Sequence, residues 1–183
     1  VSGAATPGGA ATPGGVPTWL GPIRQSAFLV DSVEEAAREW VEVHGVGPWF
    51  LYDVDIPEVT YRGQRVPMRA RFGLAQTGGQ QIELIAPDRS IPSIYTEFLD
   101  AGGSGVHHVC YWADLARVEA HFAAAGAEVV QDGITGTGAR FLYLSGSCGL
   151  PYLEFVDPQG GMKAFFDRVA AAAVDWDGSD PYR

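Results

Sequence analysis

The chain repeats itself, and the repeat limits its architecture more than any other feature. Ala70-Arg71-Phe72 returns as Ala139-Arg140-Phe141, and Ile82-Glu83-Leu84-Ile85-Ala86-Pro87 returns as Leu153-Glu154-Phe155-Val156-Asp157-Pro158. In each copy a Glu follows the Arg, after 12 residues in the first and 14 in the second, inside an apolar run that ends at Pro. One tripeptide could match by chance. Two matches in the same order, each preceded by the same succession of elements, indicate a tandem duplication.

In the first copy, residues 23–30 read as a strand. Asp31 or Ser32 offers an N-cap, and Glu34 and Glu35 suit the positive end of a helix. Val33, Ala36, Ala37, Trp40 and Val41 then recur on one helical face, and Gly45 and Gly47 end the helix before Pro48. Strands are expected over 49–54, 68–75 and 81–85, with a turn at Gly78-Gly79. The second copy reads alike: a strand over 106–113, then a helix opened by Asp114 with Leu115, Val118, Phe122 and Ala125 inward, then strands over 127–131, 140–144 and 152–156. A short helix over 94–99 links the copies, and a last one covers roughly 161–174. The expected class is α+β, with two tandem βαβββ modules at 21–90 and 105–158 forming a curved mixed sheet around a metal site. Residues 91–104 link them, and a C-terminal helix and tail fill 159–183. Residues 1–20, with AATPGG twice over, read as a flexible arm.

Glu83 and Glu154 carry the chemistry. A charged residue in an apolar strand either faces solvent or is buried with a partner. Exposure suits one isolated Glu, but two at equivalent repeat positions point to a shared interior role. Alternation puts Glu83 on one face with Gln81 and Ile85, opposite Ile82 and Leu84. Aligning residues 25–30 with 108–113 makes Gln25 and His108 equivalent, so each module supplies one residue from its first strand and a Glu from its last. Two carboxylates, an imidazole and an amide oxygen form an N/O donor set without thiolate. Such a set suits one divalent ion among Zn²⁺, Ni²⁺, Co²⁺, Mn²⁺ and Fe²⁺ and cancels its charge. Alternation sends His107 to the opposite face from His108. His44 and His121 sit on helices without partners at ligand spacing.

The formal charge of −10 argues against nucleic acid and against an anionic membrane surface as partners. No apolar run approaches the roughly 20 residues needed to span a bilayer, and no signal peptide is visible. Cys110 and Cys148 are too few for a disulfide framework and read as buried thiols in a reducing cytoplasm.

The paired βαβββ order, Gly105-Val106-His107-His108-Val109 and the closing Leu153-Glu154-Phe155 resemble the vicinal oxygen chelate superfamily over roughly residues 22–158. That superfamily includes glyoxalase I, methylmalonyl-CoA epimerase, extradiol dioxygenases and antibiotic-resistance proteins. Spacing and the His107-His108 pair look most like the epimerase, whose first-strand ligand is usually His. The set Gln, Glu, His, Glu is that of human-type glyoxalase I, yet Leu29 stands where that enzyme has a glutathione-binding Arg. The dioxygenases use two His and one Glu, which Gln25 disfavours.

The resemblance implies a metal-dependent isomerase, epimerase or lyase that abstracts a proton beside a carbonyl of a small carbonyl or thioester substrate. Glu154 and Glu83 would then be metal ligands that double as base and acid. It also implies a homodimer as one arrangement, leaving open whether the site lies within one chain or between two. The alternative is a metal-free protein that sequesters a hydrophobic drug. Candidate pocket residues are Arg69, Arg71 and Arg140 for an anionic group, with Tyr111, Tyr143 and Trp49 among the aromatic walls.

Overall fold

A computed structural model describes residues 19–146 and 149–183. The expected N-terminal arm, apart from Trp19 and Leu20, and Cys148 lie outside the described residues. In chain order the elements are β1 (Gln25–Leu29), α1 (Val33–His44), β2 (Phe50–Tyr61), β3 (Gln64–Thr77), β4 (Gln80–Pro87) and α2 (Ile94–Asp100). The second module follows with β5 (Val106–Trp112), α3 (Leu115–Ala124), β6 (Val129–Ile134), β7 (Arg140–Ser145) and β8 (Tyr152–Val156), and α4 (Gly160–Ala172) comes last.

Local chemistry explains the helix ends. Ser32 caps α1 by accepting a hydrogen bond from the Glu35 amide at 3.2 Å, and Gly45 leaves the helix in the left-handed conformation. Asp114 caps α3 through the amides of Ala116 and Arg117. Ser93 and Thr96 form a reciprocal capping box on α2.

Each module orders its strands 1-4-3-2, with the first and last strands parallel and the rest antiparallel. Pairing of β1 with β5 and of β2 with β6 closes the eight strands into one barrel. The β2–β3 hairpin runs well past the expected ends at 54 and 68. A register shift between Ile56 and Val59 absorbs Pro57, and Arg62-Gly63 turns the chain with positive φ angles of 45° and 76°. β6 likewise starts two residues later than expected, at Val129.

The helices cover the outside in a pattern that repeats with the modules. Val33 and Ala37 of α1 bury against Trp49, Ile82 and Leu84, while Leu115 and Val118 of α3 bury against Leu142, Leu144 and Phe155. α1 can approach β3 closely because Gly73 carries no side chain, since a Cβ there would lie 2.7 Å from Val33 Cγ1. Inside the barrel, Ala27, Ile85, Cys110, Phe141 and Val156 pack with Ile94 and Tyr95 of α2. Burial of each large apolar side chain contributes about 1.5–3 kcal/mol, which makes these two interfaces the main source of stability. α4 lies on β3 through Phe166, Val169 and Leu74. Beyond it the chain returns to the start of β2: the Trp49 amide donates to Pro181 O at 2.7 Å, and the Arg183 amide donates to Trp49 O at 2.8 Å. None of the described helices is long and apolar enough to cross a membrane.

Candidate metal centre

The registers of the two modules superpose the residues singled out by the repeat. Gln25 faces Gln81 and Ala27 faces Glu83 across β1–β4, while His108 faces Tyr152 and Cys110 faces Glu154 across β5–β8. Gln25 and His108 are therefore equivalent, as are Glu83 and Glu154. Since β1 also pairs with β5, all four converge in the barrel interior, and all four come from one chain. Gln25 and His108 are 2% and 0% exposed, and the two Glu are 7% exposed each.

His108 Nε2 lies 3.5 Å from Glu83 Oε2 and 3.3 Å from Glu154 Oε2. Neither approach has hydrogen-bond geometry, so this buried nitrogen has no hydrogen-bond partner. Donor atoms of Glu83, His108 and Glu154 lie within 4.8 Å of one another. An orphaned imidazole nitrogen aimed between two carboxylates is what a divalent cation would satisfy, and the donor set balances its charge. Gln25 Nε2 donates to Gln81 Oε1 at 2.8 Å, and Gln81 Nε2 reaches Phe166 O at 3.4 Å. That bond leaves the Gln25 carbonyl oxygen as its free atom at the cavity wall.

Electrostatics inside the barrel follow from dry carboxylates around one imidazole. Burial alone would push His108 down, but the adjacent Glu154 and Glu83 override it and hold the imidazole up at about 9. Burial pushes Glu83 up, and His108 offsets only part of that effect. Burial also acts on Glu154, but His108, Tyr143 and Cys110 outweigh it and keep this carboxyl below its ordinary range. The Cys110 thiol is pushed well up by burial and by Glu154, which makes it inert.

The expectation that His107 and His108 face opposite ways is corrected. A bulge between Ala27 and Phe28 places Ala27 opposite His108 and Phe28 opposite Val106, so His107 is the unpaired residue and its ring is re-aimed. The two Nδ1 atoms stand 2.8 Å apart, and His107 Nε2 is 3.3 Å from Ile94 O. If His108 keeps Nε2 as a lone pair, its Nδ1–H donates to His107 and His107 donates to Ile94, which fixes both tautomers. Burial, and secondarily the charge of His108, push His107 down to about 2, so it stays neutral.

A cavity of about 450 Å³ opens onto the two carboxylates and Gln25. Tyr52, Phe72, Phe141 and Tyr143 form much of its wall, and Met162, Phe165 and Phe166 of α4 close one side. Among the expected pocket residues, Tyr143 lines this cavity and its hydroxyl lies 3.0 Å from that of Tyr95, another wall residue. Trp49 is instead buried beneath α1 and donates to Val46 O, and Tyr111 stacks on Phe155 beneath α3. Arg69 pairs with Asp55, Arg71 with Glu34 and Asp53, and Arg140 with Glu119, and none of the three Arg residues lines the cavity. Alternation along β3 and β7 sends these three outward once Phe72 and Phe141 point in. The contribution of α4 went unforeseen: it follows directly on the repeat's closing Pro158, but nothing in its apolar pattern says that it reaches the site.

Residues 24–143 match the sequence profile of the Glyoxalase/Bleomycin resistance protein/Dioxygenase superfamily. No curated protein matches the chain. Solved structures share the fold at low identity. A methylmalonyl-CoA epimerase from Mycobacterium tuberculosis is 18% identical with a TM-score of 0.56, covering 81% of this chain and 95% of that one. A hypothetical protein from Bacillus halodurans is 16% identical with a TM-score of 0.52, covering 76% and 95%. A Streptomyces coelicolor methylmalonyl-CoA epimerase variant, in complex with 2-nitronate-propionyl-CoA, is 19% identical with a TM-score of 0.50, covering 75% and 94%. With the profile spanning well over half of the chain and the barrel built from two βαβββ modules, this protein belongs to the Glyoxalase/Bleomycin resistance protein/Dioxygenase superfamily.

Proposed function

We propose that the protein is a divalent-metal-dependent isomerase or lyase that moves a proton at the carbon beside a carbonyl. The observation that carries this reading is the buried, partnerless His108 Nε2 set behind Glu83 and Glu154, the two carboxylates that line the cavity. Glu83, His108 and Glu154 would hold the ion, with the Gln25 carbonyl oxygen as a fourth donor. When bound, such an ion supplies a positive charge that stabilises negative charge developing on the substrate oxygen.

The chain's own groups perform the remaining work. The apolar walls exclude water and so strengthen every charge interaction at the floor. Glu154, a carboxylate that lines the cavity, is the group to accept a proton as base. Glu83, the second carboxylate of the lining, is the group to return one as acid. Tyr143 is the cross-strand neighbour of Glu154 and orients it. Folds shared with proteins named methylmalonyl-CoA epimerase make epimerase-type proton transfer the branch to test first. The apolar cavity also fits a metal-free sequestering protein, the second reading.

Elemental analysis separates the two. The purified protein should carry close to one equivalent of a divalent metal, or take it up on addition of Zn²⁺, Ni²⁺ or Co²⁺. It should also catalyse exchange of an α-proton into D₂O across a panel of hydroxyketones and thioesters, an activity lost in Glu154→Gln. A protein that binds none of the three ions would refute the enzyme reading, and turnover surviving Glu154→Gln would refute the base.

A further inference from the structure

We infer that the ligand of this cavity is an uncharged, aromatic carbonyl compound, without the anionic handle of a coenzyme A or glutathione thioester. The inference rests on the metal-centred reading above and adds the substrate class. It follows from where the chain puts its cations. All 12 Lys and Arg residues lie within the described residues, and none of them lines the cavity.

Seven are engaged in ion pairs on the surface, including the three Arg residues nearest the repeat strands. Arg24, Arg117 and Arg168 lie over the rings of Trp112, Trp19 and Phe165. Arg183 donates to the carbonyls of Asp180 and Tyr182, and Arg38 stands at a separate surface depression with Glu34 and Leu51. The charged side chains that face the cavity are acidic, Glu83 and Glu154; Asp53 and Asp55 border it on β2 but are paired outward with Arg71 and Arg69. Inside the cavity a ligand carboxylate or phosphate would therefore meet no counter-charge, the nearest cation being Arg168 on the outer side of the Phe165 ring, and it would enter the field of a chain whose formal charge is −10.

The positive evidence is the wall itself. Tyr52 stacks on Phe72 with ring centroids 5.7 Å apart and meets Phe165 edge-on at 5.2 Å, which gives flat aromatic surfaces around the cavity. Apart from the acids, the polar groups are neutral: Gln25, Thr135, Thr137 and the hydroxyls of Tyr52, Tyr95 and Tyr143. The hydroxyls of Tyr95 and Tyr143 bond to each other, which uses one of their two protons. The other is the donor available to a ligand oxygen or to Glu154. A cavity of about 450 Å³ is large enough for a drug-sized molecule.

The test is calorimetric and needs no turnover. The full chain, once freed of metal with a chelator and once loaded with Zn²⁺, is titrated with 2-hydroxyacetophenone, with its 4′-carboxylate, and with methylmalonyl-CoA. The first two probes differ by one negative charge placed away from the hydroxyketone. In both states the neutral probe should bind at least about tenfold more tightly than either anion. Phe165→Ala, at a half-buried position on the cavity rim, should weaken the neutral probe about tenfold while metal content stays unchanged. Equal or tighter binding of either anion overturns the inference, as does failure of the neutral probe to bind. Metal uptake with anion preference would sink this inference alone. Neutral preference without metal uptake would sink the proposed enzyme and overturn the ligand's standing as its substrate, leaving only a cavity selective for neutral aromatic molecules.

Discussion

Glu97 on α2 offers a quantitative test of how the two modules are held together. Its carboxylate accepts hydrogen bonds from Tyr61 at 2.6 Å, from Arg62 Nε and Nη2 at 2.7 Å each, and from Tyr152 at 2.8 Å. It thereby ties the linking helix to the tip of the first module's hairpin and to the last strand of the second. The Arg62 bonds lead, and despite partial burial the carboxyl is held down at about 2 against an ordinary 4.5. A depression of that size corresponds to about 3 kcal/mol of folding stability at neutral pH. The Glu97 and Arg62 side chains are 32% and 42% exposed, so screening reduces the figure to about 1–2 kcal/mol.

The folded value lies below the unfolded one, so this stability is present above pH 4.5 and is lost as pH falls from 4.5 towards 2. Glu97→Gln removes the charge while keeping the shape. Urea unfolding followed by near-UV circular dichroism should show the variant less stable by about 1–2 kcal/mol at pH 7, equivalent to a few degrees in Tm. It should also show a shallower loss than the wild type between pH 4.5 and 3. A variant as stable as the wild type at pH 7, or one with the same acid slope, would refute the reasoning.

Other outcomes follow from the site and the packing. Metal affinity should rise about tenfold per unit between pH 6 and 8, because a proton held on His108 up to about 9 must leave before Nε2 can bind; competition against a chromophoric chelator reads this directly, and a flat profile would contradict it. His107→Phe should weaken metal binding about 10–100-fold with the fold intact by circular dichroism, since the ring that fixes the His108 tautomer is gone. Gly73→Ala should cost about 1–3 kcal/mol, because the added methyl meets the buried Val33 side chain at 2.7 Å and the partly buried Leu51 side chain at 3.1 Å; an unchanged denaturation midpoint would mean that α1 shifts freely.

The repeat made the interior donors legible because duplication writes the same position twice, and a buried Glu is costly enough to stand out each time. Gln25 and His108 could be aligned for the same reason, and the β1–β4 and β5–β8 registers put them at equivalent points. What stayed hidden depends on geometry without a sequence period. The bulge that turns His107 towards His108 is one extra residue in a pairing, invisible to strict alternation. Arg69, Arg71 and Arg140 drew attention as anion binders, yet their partners Asp55, Glu34 and Glu119 lie 14, 37 and 21 residues away along the chain. The α4 wall is set by where one helix docks, which the pattern inside that helix does not encode.

The return of residues 181–183 to the start of β2 has a thermodynamic meaning for the cavity. α4 is held at both ends and along its length: β8 leads into it, Phe166 and Val169 pack with Leu74 of β3, and the paired segment beyond it is bonded to Trp49. The side of the cavity built from Met162, Phe165 and Phe166 is therefore present before any ligand arrives. A guest meets a finished wall, and none of its binding energy is consumed in ordering a helix, an entropic cost of about 1–2 kcal/mol for each backbone residue that would otherwise have to be fixed.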